Sequence, residues 1–298
     1  MFSEKIFFYL KYFFPKFVRE KCKANILIII NKFQDKPAIS MISKNKTNFI
    51  KSLQNKKVRD DEKLYVIEGD KIVNEFLMAK VNIKTLIALP EFINSLSAEM
   101  MKYIGEIESA GYDELKKVST LKTPHNAIAV VPIPDYNINP DDLFNRLTVA
   151  LDYVQDPGNL GTIIRAAAWF GIKNIICSND TVDVYNPKVI QATMGAILNV
   201  SVHYTDLKDF LKKASELAIP VYGTHIEGKS VYSHSLGKKG IILLGNESKG
   251  ISEKLLPYIT ERLMIPRFTT ALHGIDSLNV SMAASVIFSE FARRGKSL

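Results

Sequence analysis

Between residues 41 and 131, apolar residues at helical spacing alternate with short continuous apolar runs, the pattern of helices exchanging with buried strands. Residues 48–59 carry Phe49, Ile50 and Leu53 on one face and lysines on the other, which predicts an amphipathic helix. A strand is expected over 64–70. Residues 70–80 predict a second helix, capped by Asp70, with Ile72, Val73, Phe76 and Leu77 turned inward. Further strands are expected over 83–89 and 126–133. Residues 132–142 then bring three prolines and little apolar pattern, the mark of a linker.

From about Leu147 the alternation becomes regular. Continuous apolar runs over 148–154, 174–178, 219–224, 240–245 and 262–265 read as strands, and helices centre on 160–170, 187–197, 207–218 and 278–293. This predicts an α/β fold whose mostly parallel sheet is covered on both faces. Ligand sites in such sheets lie in the loops beyond the strand carboxyl ends. The expected organisation is an atypical basic-apolar extension over 1–40, a small α/β domain over 41–131, a linker over 132–146 and a larger domain over 147–298. The extension holds apolar bursts shorter than the ~20 residues of a membrane-spanning helix, and no signal-peptide cleavage pattern follows them. It reads as an interfacial anchor, a loosely packed extension, or translated sequence upstream of a start at Met41. The last is favoured, because Met41 opens the domain pattern.

Charge changes the picture in one respect. Residues 1–60 hold 14 Lys/Arg against 4 Asp/Glu, whereas the remaining 238 residues hold 25 against 27. A basic arm on a near-neutral body points to phosphate contact by the arm, on nucleic acid or an anionic membrane, or else to a solvated basic face. Cys22 and Cys177 stand far apart, which argues against a disulfide framework and suits a reducing cytoplasm. The five histidines never pair at i, i+4 beside a third ligand, so no metal is expected.

One stretch invites a specific chemistry. "GTHIEGKS", 223–230, fits the phosphate-loop pattern G-x-x-x-x-G-K-[ST]. A working loop needs a helix behind it whose amides face the phosphate. The residues after Ser230 bring Val231, Tyr232 and then glycines at 237 and 240, which leaves room for barely one turn. A nucleotide triphosphatase is therefore the weaker reading, with Gly228–Ser230 forming a turn behind a strand that ends near Thr224.

Three loops at strand ends carry unusual polar residues. In "DYVQDPGNLGTIIRAAAWFG" (152–171), Asp156 and Pro157 suit a helix start, while Gly158 and Gly161 suit a close approach to the backbone. Asn159 and Arg165 are too far apart to stack on a regular helix, though a bent first turn would point both at one site. In "LLGNESKG" (243–250), Asn246 and Glu247 follow a buried strand that ends in Gly245. In the third loop, Ser277 and Asn279 stand at the mouth of a long apolar helix, where Ser277 reads equally as a simple cap.

Taken in order, "NLGTIIRAAAWFG", "LLGNESKG" and "MIPRFTTALHGIDSLNVSMAAS" resemble the three motifs of the SpoU (TrmH-type) RNA ribose 2′-O-methyltransferases of the SPOUT superfamily. Residues 41–76 are similar to the substrate-binding domain often fused before them. The resemblance implies a C-terminal trefoil knot, a homodimer, S-adenosylmethionine as cofactor and RNA as partner, ribosomal more than transfer RNA. It implies catalytic roles for Asn159, Arg165, Glu247, Ser277 and Asn279. Thr224, Gly245, Asn246, Ile265 and Leu278 would border the cofactor. The stretch between Ile265 and Ser277 is longer than in compact members. Lys44, Lys46, Lys51, Lys56, Lys57 and Arg59 would grip RNA phosphates through the first helix. The resemblance implies a cytoplasmic enzyme, with no membrane association for residues 41–298. A non-catalytic RNA-binding protein on the same fold is the alternative.

Overall fold

Continuous apolar runs set the two sheets of the structure, a computed structural model that describes residues 41–135, 143–269 and 277–295. The extension over 1–40, the middle of the expected linker and the longer stretch after Thr269 lie outside the described residues. The first sheet holds β1 (Leu64–Glu68), β2 (Ile83–Ala88), β3 (Ile104–Ser109) and β4 (Ala127–Pro132) in the order β1-β4-β2-β3. β4 runs antiparallel to both β1 and β2, and β3 is parallel to β2. β3 escapes the hydrophobic pattern because it is an edge strand with mostly exposed side chains.

Around this sheet lie α1 (Lys44–Ser52), α2 (Lys56–Glu62), α3 (Asp70–Met78), α4 (Pro90–Ser95), α5 (Ala98–Met101) and α6 (Tyr112–Val118). The single helix expected over 48–59 is two, because Asn55 starts a new helix by accepting the Lys57 amide at 2.9 Å. Asp70 is not the cap of α3. Gly69 takes that position at φ 123°, a conformation that suits glycine, and Asp70 falls in the first turn. The inward face of α3 is as expected, with Ile72, Val73, Phe76 and Leu77 buried.

The second sheet is wholly parallel. Its strands are β5 (Leu147–Leu151), β6 (Asn174–Ser178), β7 (Ser201–Thr205), β8 (Val221–Ser230), β9 (Gly240–Leu244) and β10 (Glu261–Met264), in the order β10-β8-β9-β5-β6-β7. β9 is buried along its whole length and β5 over all but its first residue, as central strands covered on both faces must be. β7, at the sheet edge, is mostly half-buried and for that reason did not stand out as an apolar run. α7 (Pro157–Trp169), α8 (Pro187–Thr193), α9 (Leu207–Glu216) and α10 (Val280–Gly295) cover the faces, and short 3-10 turns stand at Ala196–Asn199 and Glu253–Tyr258.

The phosphate-loop match dissolves here. "GTHIEGKS" lies inside β8, so Gly228–Ser230 is strand and not turn. β8 pairs with β10 on either side of a register shift, Arg262 with Gly223 and Leu263 with Lys229, so residues 224–228 bow out of the ladder. Only turns follow Ser230, and Lys229 lies 3.6 Å from Glu261 on the surface.

The two sheets share one apolar core, which runs from Ile67 and Phe76 to Leu151, Ile164 and Phe288. Arg59 crosses between them. It is 2% exposed, donates through Nε to Asp183 at 3.1 Å and through Nη2 to the same carboxylate, and spends Nη1 on the carbonyls of Leu53 and Gln54. The rings of Tyr65 and Tyr185 meet at 4.7 Å on the same seam. Among the described residues, no helix is long and apolar enough to cross a membrane.

Candidate active site

The carboxyl ends of β5 and β9 bring two distant loops together. α7 begins where Asp156 accepts the Asn159 amide at 2.8 Å and Pro157 occupies its first turn. This start sets Asn159 opposite the loop after β9. That loop is drawn tight by a reciprocal pair of backbone bonds between Asn246 and Gly250, at 3.0 and 2.8 Å. Gly245 has to be glycine, because a Cβ there would stand 2.3 Å from the Gly250 carbonyl carbon. The Asn246 side chain accepts from the amides of Ser248 and Lys249 and donates to the Tyr153 carbonyl at 3.0 Å.

On this frame three side chains form a continuous chain. Asn159 donates its amide to Glu247, and its carbonyl oxygen accepts from Asn279 Nδ2 at 2.9 Å. Asn279 in turn caps α10, its oxygen accepting from the Ser281 amide and hydroxyl at 2.9 and 2.6 Å. The cap of that helix is thus Asn279; Ser277 is exposed and outside the hydrogen-bonded chain.

Arg165 does not join the cluster. α7 is regular, so six residues place Arg165 about 120° around the helix from Asn159. It is exposed, and among the described residues no hydrogen bond or ion pair engages it. Gly161 needs its small size for a reason internal to the protein, since a Cβ would lie 2.4 Å from Ala192 Cβ on α8. Among the described residues, a Cβ on Gly158 would meet only Asp156.

Tyr153 is a residue that the sequence did not single out. It sits at φ 60°, rare for a tyrosine, held by the Ser178 hydroxyl on its amide at 2.9 Å and by Asn246 on its carbonyl. Lys249 Nζ lies 4.5 Å from its ring centroid. No sequence signal announces a left-handed backbone at a residue other than glycine or asparagine.

Two of the six expected phosphate-gripping residues are otherwise engaged. Arg59 is buried against Asp183 and has no free donor facing solvent. Lys46 pairs with Glu106 at 2.7 Å and with Glu108. Burial opposes its charge, but the hydrogen bonds of the two carboxylates outweigh this and hold its ammonium above the usual lysine range. Lys44, Lys51, Lys56 and Lys57 are exposed.

The SpoU rRNA Methylase family matches residues 146–289, and the MRM3-like substrate binding domain matches residues 44–129. A solved TrmH-family structure from Porphyromonas gingivalis is 34% identical with a TM-score of 0.77, covering 86% of this chain and all of its own. The chain belongs to the SpoU/TrmH-type RNA methyltransferases. An AdoMet-bound rRNA methyltransferase from Sinorhizobium meliloti is 26% identical with a TM-score of 0.75, over 87% of this chain and 98% of that one. The 23S rRNA (guanosine(2553)-2′-O)-methyltransferase RlmP of Bacillus subtilis is 27% identical over 240 residues, 80% of this chain and 92% of its own length. In this methyltransferase the Asn159–Glu247–Asn279 chain unites one residue from each of the three polar loops.

Proposed function

We propose that the Glu247–Asn159–Asn279 chain is the centre at which this protein methylates a ribose 2′-hydroxyl of RNA, with Arg165, which stands apart from that chain on α7, meeting the substrate from outside it. The enzyme is an S-adenosylmethionine-dependent RNA ribose 2′-O-methyltransferase. The observation that carries the site assignment is the hydrogen-bonded chain itself, three polar side chains from three separate loops meeting at the strand ends of a parallel sheet.

The cofactor supplies an electrophilic methyl whose leaving group departs as a neutral thioether. What the protein must supply is a seat for it and activation of a weak nucleophile. Gly245 and Ile265 stand just past the ends of β9 and β10, Thr224 begins the bulge of the neighbouring strand β8, and Leu278 is 48% exposed beside Asn279. Backbone groups and uncovered apolar surface suit adenosine and an amino-acid tail, so these residues, with Asn246, fit the cofactor. The Asn159 bond fixes one Glu247 oxygen, leaving the other to orient a ribose hydroxyl. A guanidinium such as that of Arg165 is a poor base. Its role is to stabilise developing alkoxide charge and to grip a phosphate, with the proton passing to water or that phosphate.

Ser277, exposed beside the cluster, would contact the substrate. Lys44, Lys51, Lys56 and Lys57 would hold RNA phosphates, with ribosomal RNA as the favoured substrate. The same reading gives the protein its knotted C-terminal segment, a homodimeric assembly and a cytoplasmic setting. The 85% exposure of Trp169, one turn beyond Arg165, supports a covering second copy.

The test is transfer of labelled methyl from S-adenosylmethionine to unmodified ribosomal and transfer RNA by wild type and Arg165→Ala. Alkali-resistant 2′-O-methyl nucleotide that disappears with the variant is the expected result. Cofactor binding without transfer to either RNA would favour a binding protein on this fold.

A further inference from the structure

A cavity of about 290 Å³ opens where β5, β6 and β7 end. Asp152, directly after β5, and Ser178, the last residue of β6, are its buried polar part, beside buried Leu207, each less than one tenth exposed. Asn179, Asp180, Asp206 and Lys254 line its exposed part, and Asp206 already accepts from the Lys208 and Asp209 amides at the start of α9. The buried pair ties the cavity to the candidate active site. Asp152 accepts the Ser252 amide at 2.7 Å, just past the loop that bears Glu247. Ser178 accepts the amide of Tyr153, whose carbonyl anchors Asn246. In the sheet order β9-β5-β6-β7 the cavity lies one to two strands from the Asn159–Glu247 pair, roughly 5–10 Å at ~4.8 Å per strand. That separation is within the reach of a nucleotide next to a ribose held at Glu247.

The lining decides which chemical group fits. Among the described residues, the side chains of Asn179, Asp180 and Lys254 make no hydrogen bond, so their capacity is free for a ligand. Three carboxylates in one small cavity, Asp152, Asp180 and Asp206, repel a phosphate. A base is neutral and brings donors. Guanine presents N1–H and the N2 amino group side by side, a match for the two acceptor oxygens of Asp180, and its O6 accepts from Asn179 or Lys254. Adenine sets an acceptor, N1, where the carboxylate offers only lone pairs. Reading the Watson–Crick edge of a splayed base is how single-stranded RNA is commonly recognised.

We propose that this cavity is a base subsite of the RNA substrate and takes an unpaired guanine flanking the methylated ribose. The proposal rests on the methyltransferase reading of the neighbouring loops, and its test is independent of turnover. Fluorescence anisotropy would compare full-length protein on labelled ten-nucleotide oligouridylates that carry one central guanine, inosine or adenine. The guanine probe is expected to bind about tenfold tighter than the adenine probe, with inosine between them for want of the N2 amino group. Asp180→Asn should bring guanine and adenine within about twofold while the affinity for S-adenosylmethionine stays unchanged, and Lys254→Ala should weaken the guanine probe alone. Equal binding of the three probes by wild type, or a guanine preference that survives Asp180→Asn, would overturn the subsite. Methyl transfer to ribosomal RNA, assayed separately, reports on the underlying reading, since guanine selectivity without transfer would sink the enzyme and not the subsite.

Discussion

Asn279 donates its side-chain amide to the carbonyl oxygen of Asn159 at 2.9 Å, a bond between residues 120 apart in sequence. The same Asn159 donates to Glu247, so one amide uses both ends to hold two other loops. An aspartate at this position could accept from Asn279 but could not donate to Glu247, and it would set two carboxylates against each other. Asn159→Asp should therefore lower methyl transfer about 10²- to 10³-fold, the scale of losing one oriented polar group at a reacting centre. Its melting temperature should move by no more than a few degrees, because the site lies at the surface. Turnover and circular dichroism melts on the same preparation check both halves.

The exposed lysines of α2 make a prediction that separates RNA grip from chemistry. Lys56→Glu with Lys57→Glu should weaken binding to ribosomal RNA and flatten its dependence on log salt by roughly two contacts' worth. Affinity for S-adenosylmethionine, measured by calorimetry, should not change. Loss of both affinities together would mean that the two sheets do not act as separate binding surfaces.

Arg59, on the same helix, should behave differently. Removing one partner of a buried ion pair leaves an uncompensated charge, at a cost of roughly 3–5 kcal/mol. Arg59→Ala should lower the thermal midpoint markedly. The double variant Arg59→Met with Asp183→Leu should recover most of the loss, because neither charge is then stranded. An Arg59→Ala protein of wild-type stability with lowered RNA affinity would return this residue to the RNA surface.

A pH dependence is written into α10. Glu290 accepts from Arg293 at 2.9 and 2.7 Å and from Arg294 at 2.7 Å. The Arg293 bond, reinforced by Arg294 against the penalty of burial, pulls its carboxyl down from 4.5 to about 2. A carboxyl held below its unfolded value contributes stability that is complete above about pH 4.5 and is lost as the pH falls toward 2. Glu290→Gln should melt lower than wild type at pH 7, and the gap should close across that window. The consequence reaches past the helix, because Arg294 also donates to the carbonyls of Tyr232 and His234 behind β8.

Much of this protein was legible in one dimension. Short apolar runs such as Gly240–Leu244 suit strands covered on both faces, and their alternation with helical patterns announces a parallel α/β sheet. Asp156 followed by Pro157 encodes a helix start in local chemistry alone. The three polar loops were visible as loops, and their order carried the family. What needed the tertiary structure was every property that depends on a distant neighbour. Arg59 looks like its solvated neighbours until Asp183 arrives from the other sheet to bury it. Lys46 is spent on two glutamates of β3, an edge strand whose exposed pattern hid it. The phosphate-loop match is a strand only because β10 pairs with both sides of its bulge. Asn159, Glu247 and Asn279 meet while Arg165 points elsewhere because α7 is regular, and Gly161 lets α8 lie close against it. Local propensity and hydrophobic period act over a few residues, so a sequence can encode elements and caps. Which charges end up buried, and which amides share a hydrogen bond, is decided by packing across the whole fold.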